Sequence, residues 1–97
     1  MAIKGHEANA RDDYELARQH FIAAGRTRGT PRHKISAANM TFKLDEFAAA
    51  VDEYERLLER PDLTVAHRLM VRRKKAEALK RMAAVLHAHN ATMASFI

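Results

Sequence analysis

Residues 44–61 read LDEFAAAVDEYERLLERP, and this stretch decides the fold. Its large apolar residues recur at spacings of four, three and four: Phe47, Val51, Tyr54 and Leu58. Three further residues widen the same face: Leu44, Ala50 and Leu57. This spacing predicts an amphipathic helix with a buried stripe. Asp45 is expected to cap its start, and Pro61 to end it near Arg60.

The composition favours helix along the whole chain. The 97 residues include only three glycines and two prolines, and 47% are hydrophobic. This length and composition predict one all-α domain of three or four antiparallel helices over residues 1–97. The chain has no cysteine, which leaves no thiolate for a disulfide or a metal. No apolar run reaches membrane-spanning length, and the first residues hold no signal core, so we expect a cytoplasmic protein.

Two helices are predicted before the central one. After a loose lead over residues 1–5, apolar periodicity favours a helix from about His6 to Ala24, with Gly25 just past its end. Residues 25–32 are predicted to form a loop. A short helix then begins at Pro31, with Thr30 as its N-cap.

The last helix is predicted to begin near Thr64, capped by Asp62 or Thr64, and to run for about 30 residues, because no proline or glycine interrupts it. Its predicted apolar line consists of Val65, Leu69, Ala76, Leu79 and Met82. The tail from Met82 to Ile97 has no charged side chain. We expect it either to pack on the first helix or to form a homo-oligomer or partner interface. The candidate interface residues are Leu86, Met93, Phe96 and Ile97.

Charge is segregated by helix. Residues 44–62 carry seven acidic side chains, and residues 63–81 carry seven basic ones. Opposite charges on consecutive helices predict that these helices are antiparallel neighbours. The net charge of +5 also leaves bases for an external partner, either an acidic protein surface or the phosphates of nucleic acid. The candidate binding residues are Arg26, Arg28, Arg32 and Lys34 around the predicted loop, and Arg68, Arg72, Arg73, Lys74 and Lys75 on the last helix.

A motif recurs at an offset of 33 residues. Tyr14-x-x-Ala17-x-x-x-Phe21-x-x-Ala24 aligns with Phe47-x-x-Ala50-x-x-x-Tyr54-x-x-Leu57. A fixed period of this length is typical of stacked helix pairs. The motif resembles the second helix of a tetratricopeptide repeat, and Pro61 fits the proline that follows such a helix. The resemblance covers about one and a half repeats, over residues 12–62.

The first helix of the repeat matches less well. Lys34 stands where the family prefers tryptophan, Thr41 where it prefers an aromatic residue, and Asp45 where it prefers glycine. Ala38 and Leu44 do fit the pattern. A similar hairpin also occurs in small three-helix trafficking modules. The resemblance implies a helical-hairpin scaffold that binds a peptide or a helix in a groove, without catalytic chemistry.

The remaining motifs indicate no chemistry. His87 and His89 are two residues apart, so a helix points them to nearly opposite sides, and no shared metal is expected. No glycine-rich phosphate loop follows a strand, and no acid–base pair can be nominated. We therefore expect no enzyme and no cofactor. The leading hypothesis is a helical interaction module, accessory or regulatory, that docks a protein partner. The alternative is a basic nucleic-acid-binding accessory protein, although no aromatic residue is interleaved with the bases.

Overall fold

Four helices make up the described fold. A computed structural model describes the backbone of residues 7–28 and 30–94, with the side chains of residues 11–26 and 30–89. The helices are α1 (Glu7–Arg28), α2 (Pro31–Lys43), α3 (Phe47–Leu58) and α4 (Val65–Ala94). The described residues contain no strand. The predicted all-α fold with a long C-terminal helix is confirmed.

Each helix packs mainly on the next one along the chain. The most extensive contacts join α1 with α2 and α3 with α4, and α2 links the two pairs by packing on α3. Short connections between the helices are consistent with antiparallel neighbours. The acidic helix α3 and the basic helix α4 are therefore neighbours, as the charge pattern predicts. Among the described residues, α1 does not pack on α4.

The core lies where α2, α3 and α4 meet. Its buried apolar residues are Ile35, Ala37, Ala38, Leu44, Ala50, Tyr54, Leu57, Leu63, Val71 and Ala78. Ala38, Ala50 and Ala78 are completely buried, and small side chains at these points let the helix axes approach closely. Tyr54 is also completely buried, and it is the largest residue in this core.

The buried face of α3 is rotated relative to the predicted stripe. Tyr54 is buried as predicted, but Phe47 and Leu58 are only partly buried. Ala50 and Leu57 take the fully buried positions instead. The reason is that α2 and α4 both pack on α3, so the centre of its buried face falls between its two neighbours.

The first helix is longer than predicted. Gly25 lies inside α1 and is buried, so the prediction that it follows the helix end is wrong. A Cβ at this glycine would lie 3.6 Å from the Cβ of His33 and from Cγ of Lys34, an ordinary contact distance. Glycine inside a helix costs about 1 kcal/mol relative to alanine, and packing on α2 outweighs that cost. The predicted loop over residues 25–32 is correspondingly shorter.

The starts of α2 and α4 lie where the sequence predicts them, but one of the predicted caps is absent. Pro31 begins α2 as predicted, but the Thr30 side chain makes no capping hydrogen bond. Thr64 does cap α4, because its Oγ1 accepts a hydrogen bond of 3.1 Å from the backbone N–H of His67. The predicted start of the last helix is confirmed.

Asp45 ends α2 and does not cap α3. Its φ angle is 63°, in the left-handed region. Its N–H donates to the carbonyl of Phe42 at 2.9 Å, and the N–H of Glu46 donates to the carbonyl of Thr41 at 3.2 Å. These two bonds form a Schellman motif, in which the left-handed residue follows the helix C-cap. The N-cap of α3 is therefore Glu46.

The apolar line predicted for α4 faces solvent over most of its length. Val65 is 76% exposed, Leu69 61% and Leu79 40%. The residues that α4 buries are Val71 and Ala78, with Met70 and Met82 partly buried. The sequence offers two apolar faces on this helix, and α3 covers the one with smaller residues.

The tail does not pack on the first helix in the described part. Residues 83–89 are all exposed, and Leu86 is 55% exposed. The side chains of Met93, Phe96 and Ile97 lie outside the described residues. For residues 83–89, the expectation that α1 buries the tail is therefore wrong.

Candidate interaction groove between the first three helices

A groove opens between α1, α2 and α3. It encloses about 660 Å³. Its apolar lining consists of Ile22, Gly25, Ala37 and Leu57. Its polar lining consists of Arg18, Arg26, Lys34, Glu53, Arg56 and Arg60. Concave sites that combine an apolar floor with a few polar groups are the usual form of a binding pocket.

Arg18 ties the three helices together at one end of the groove. Its Nη1 donates to Oε1 of Glu46 at 2.9 Å and to Oγ1 of Thr41 at 3.2 Å. Its Nη2 donates to Glu15 on the same helix. Because its guanidinium is held by these partners, Arg18 orders the groove wall and is not a free cation. The hydrogen bond to Glu46 raises the pKa of Arg18.

Glu53 is a partly buried acid in the groove wall. Its Oε2 lies 3.4 Å from Oγ1 of Thr41. The Thr41 hydroxyl has a single proton, and it also lies 3.2 Å from the carbonyl oxygen of Ala37. Burial raises the pKa of Glu53, while the contact with Thr41 opposes this shift. The charges of Arg18 and Arg56 also oppose the shift.

Two further arginines of the groove are paired on its rim. Arg56 Nη2 lies 2.6 Å from Oδ2 of Asp52, one helical turn away. Arg60 makes two 2.9 Å hydrogen bonds to the carboxylate of Asp62. This contact holds the pKa of Asp62 below its usual value. The Arg56–Asp52 pair is exposed on both sides, and pairs of this kind contribute little stability.

Arg26 and Lys34 are the available cations of the groove. Both side chains are exposed, and neither forms an ion pair with a described residue, but the charge of Lys34 helps to lower the pKa of Asp62. They were two of the residues predicted around the loop. Arg32 is also exposed but does not line the groove, and the side chain of Arg28 lies outside the described residues.

The five predicted bases of α4 have different environments. Arg68 donates to the carbonyls of Leu58 at 2.7 Å and Arg60 at 3.1 Å, so it caps the end of α3. Lys75 lies 3.3 Å from Glu55. The ammonium of Lys74 lies 5.4 Å from the ring centroid of Phe42.

Arg72 and Arg73 remain exposed and make no ion pair with any described side chain. Only these two of the five therefore fit the prediction of available charge on α4.

The sequence did not reveal most of the groove. Glu53 and Arg60 share a helical face at a spacing of seven residues, but no spacing links them to Arg18 on α1. Within the described part, no three histidine, aspartate or glutamate side chains are grouped to hold a metal ion. No described helix is long and apolar enough to cross a membrane.

Searches against protein-family models, curated proteins and solved structures find no match to this chain.

Proposed function

We propose that this chain is a non-enzymatic interaction module, accessory or regulatory in the cytoplasm, that docks a segment of a protein partner in the groove between α1, α2 and α3. The observation that supports this function most is the combination of an apolar floor with two lining cations, Arg26 and Lys34, that form no ion pair with a described residue. A segment with one large apolar anchor and flanking acidic residues fits that chemistry.

The succession of helices supports the resemblance to a tetratricopeptide repeat. Each helix packs on the next, and α2 also approaches α4 two elements later. The two copies of the aromatic motif lie on α1 and α3. A groove on the face between successive helices is where a repeat scaffold of this kind binds a peptide. The resemblance covers about one and a half repeats, and on that basis we propose the same mode of peptide binding for this groove.

A peptide-display selection tests the groove. The full chain serves as bait, and the Ile22→Asp variant serves for counter-selection, because Ile22 is 41% exposed and lines the groove. We expect enriched peptides to be acidic with an apolar anchor. Their affinity should fall at least about tenfold with Ile22→Asp, and it should fall as salt rises.

The matched control is Leu16→Asp. Leu16 is 55% exposed on the same helix and does not line the groove. Peptides that bind both variants equally well would place the binding surface elsewhere. Failure to enrich any peptide sensitive to Ile22→Asp would contradict the proposal.

Nucleic-acid binding is the second candidate. The supporting observation is the pair Arg72 and Arg73, which are exposed and free of ion pairs with described residues. A nucleic-acid binder should elute from a DNA column only at high salt, with a steep dependence on salt concentration. The Arg72→Ala and Arg73→Ala double variant should then elute earlier, while Ile22→Asp should not change elution.

A further inference from the structure

Charge is distributed unevenly along the groove between α1, α2 and α3. At one end Arg18 is held by carboxylates, and Glu53 lies 3.4 Å from Thr41. Thr41 is seven residues from Lys34 on α2, so the two ends of the groove are about 10 Å apart. We call the end around Lys34 the basic end. The cations that line it are Arg26, Lys34 and Arg60.

The cations of the basic end lie close together. A Cβ at Gly25 would lie 3.6 Å from Cγ of Lys34, and Arg26 follows Gly25 directly and lines the same groove. Arg60 donates two 2.9 Å hydrogen bonds to the carboxylate of Asp62. These bonds lower the pKa of Asp62, and the charge of Lys34 lowers it further, so Lys34 acts on the same carboxylate as Arg60.

The charges of the basic end do not balance. Three lining cations face one carboxylate, that of Asp62, so two positive charges are in excess among these four residues. A carboxylate of a partner would neutralise only one of them. A phosphorylated serine or threonine carries a charge of about −1.5 to −2 at pH 7 and three strong acceptor oxygens. A single phosphoryl group therefore matches the excess.

We propose that the segment docked in the groove is phosphorylated, and that its phosphoryl group lies at the basic end between Arg26 and Lys34. The phosphoryl site rests on the proposed function, because it needs a segment that docks in the groove. Its oxygens accept hydrogen bonds from the guanidinium and the ammonium, and such charge-assisted bonds are stronger than neutral ones. The buried carboxylate of Glu53 lies at the other end of the groove and so does not face the phosphoryl group.

The groove also sets the distance from the phosphoryl group to the apolar anchor. The apolar lining includes Ile22 and Ala37. Ile22 precedes Arg26 by four residues on α1, and Ala37 follows Lys34 by three on α2. The anchor site is therefore about 5–6 Å from the basic end. An extended peptide advances about 3.3 Å per residue, so we expect the anchor about two residues from the phosphorylated one.

A synthetic peptide library tests the phosphoryl site, with the full chain as bait. Each peptide carries one phosphoserine, with leucine placed between one and four residues away on either side and mixed residues elsewhere. The tightest peptide is then made again with serine or glutamate at the phosphorylated position. We expect the phosphoserine form to bind at least about tenfold more tightly than either replacement.

Variants of the basic end locate the site. Arg26→Ala and Lys34→Ala should each remove most of the preference for phosphoserine over serine. Arg32→Ala is the matched control, because Arg32 is exposed near the start of α2 but does not line the groove, and this variant should keep the preference. The ratio of the two affinities is the readout. Circular dichroism verifies that all three variants remain helical.

A failure of the phosphoryl site is distinguishable from a failure of the docking function. If the three forms of the peptide bind equally well and Ile22→Asp weakens all of them, the groove docks a segment without recognising phosphate, and the phosphoryl site is wrong. It is also wrong if Arg32→Ala lowers the preference as much as Lys34→Ala does. If no peptide binds in a way that depends on Ile22, both the site and the docking function are wrong.

Discussion

The hydroxyl of Tyr54 donates a hydrogen bond of 2.6 Å to Oδ1 of Asn39, and this bond joins α3 to α2 through the core. Tyr54 is completely buried, and burial raises the pKa of its hydroxyl. This contact is directional, whereas most of the core is apolar. A directional bond of this kind favours one orientation of α2 relative to α3.

Tyr54→Phe should reduce stability by about 1–2 kcal/mol, because it removes this hydrogen bond and leaves the Asn39 acceptor without its partner. Chemical denaturation measures the loss. In Tyr54→Phe combined with Asn39→Leu, part of the loss should be recovered, since both polar groups are then gone. A single variant as stable as the parent would show that the bond contributes nothing.

Arg68→Ala should cost about 1.5–3 kcal/mol, because the guanidinium donates to two carbonyl oxygens at the end of α3. Arg72→Ala and Arg73→Ala are matched controls on the same helix. Both of those arginines are exposed, so their removal should change stability by less than about 0.5 kcal/mol. Equal losses for all three variants would mean that Arg68 acts only through its charge.

Asp45→Gly should stabilise the fold by about 0.5–1 kcal/mol. The residue has a φ angle of 63°, a conformation that glycine adopts without strain and other residues adopt at a cost. Asp45→Ala should be neutral or destabilising, because alanine keeps the Cβ. Thermal denaturation of the two variants side by side distinguishes the backbone effect from the loss of a charge.

Glu53 should make stability depend on pH. Its pKa is raised in the folded state, so the folded chain binds a proton more readily than the unfolded chain. Its contribution to stability is then highest below the ordinary glutamate pKa and falls as pH rises through the folded value. Glu53→Gln should therefore be more stable than the parent at pH 7, and its advantage should shrink as pH falls. A constant difference across that range would contradict the assignment.

Local signals in the sequence predict local features well. Pro31 and Thr64 correctly mark the starts of α2 and α4, because a helix start depends on a few consecutive residues. Gly25 misled the prediction, since glycine ends a helix only where tertiary packing does not continue it. Asp45 was assigned to the wrong helix, because the same residue type suits both an N-cap and a left-handed position.

The groove and the orientation of α4 depend on distant residues. Arg18 and Glu46 are 28 positions apart, and nothing in their spacing indicates that they meet. On α4 the larger apolar residues predict the buried face, yet α3 covers the adjacent face, where Ala78 permits a close approach. A helix that is apolar on two sides does not reveal from sequence alone which side its own chain covers.

The exposed segment of α4 over residues 83–89 has a consequence for amide hydrogen exchange. Residues 83–89 extend the helix where side chains are exposed, and a short helix without packing is only marginally stable in water. Amides near Val71 should exchange only when the whole chain unfolds, whereas those near Leu86 should exchange through fraying. The exchange profile therefore reports, residue by residue, where the packing of α4 on α3 ends.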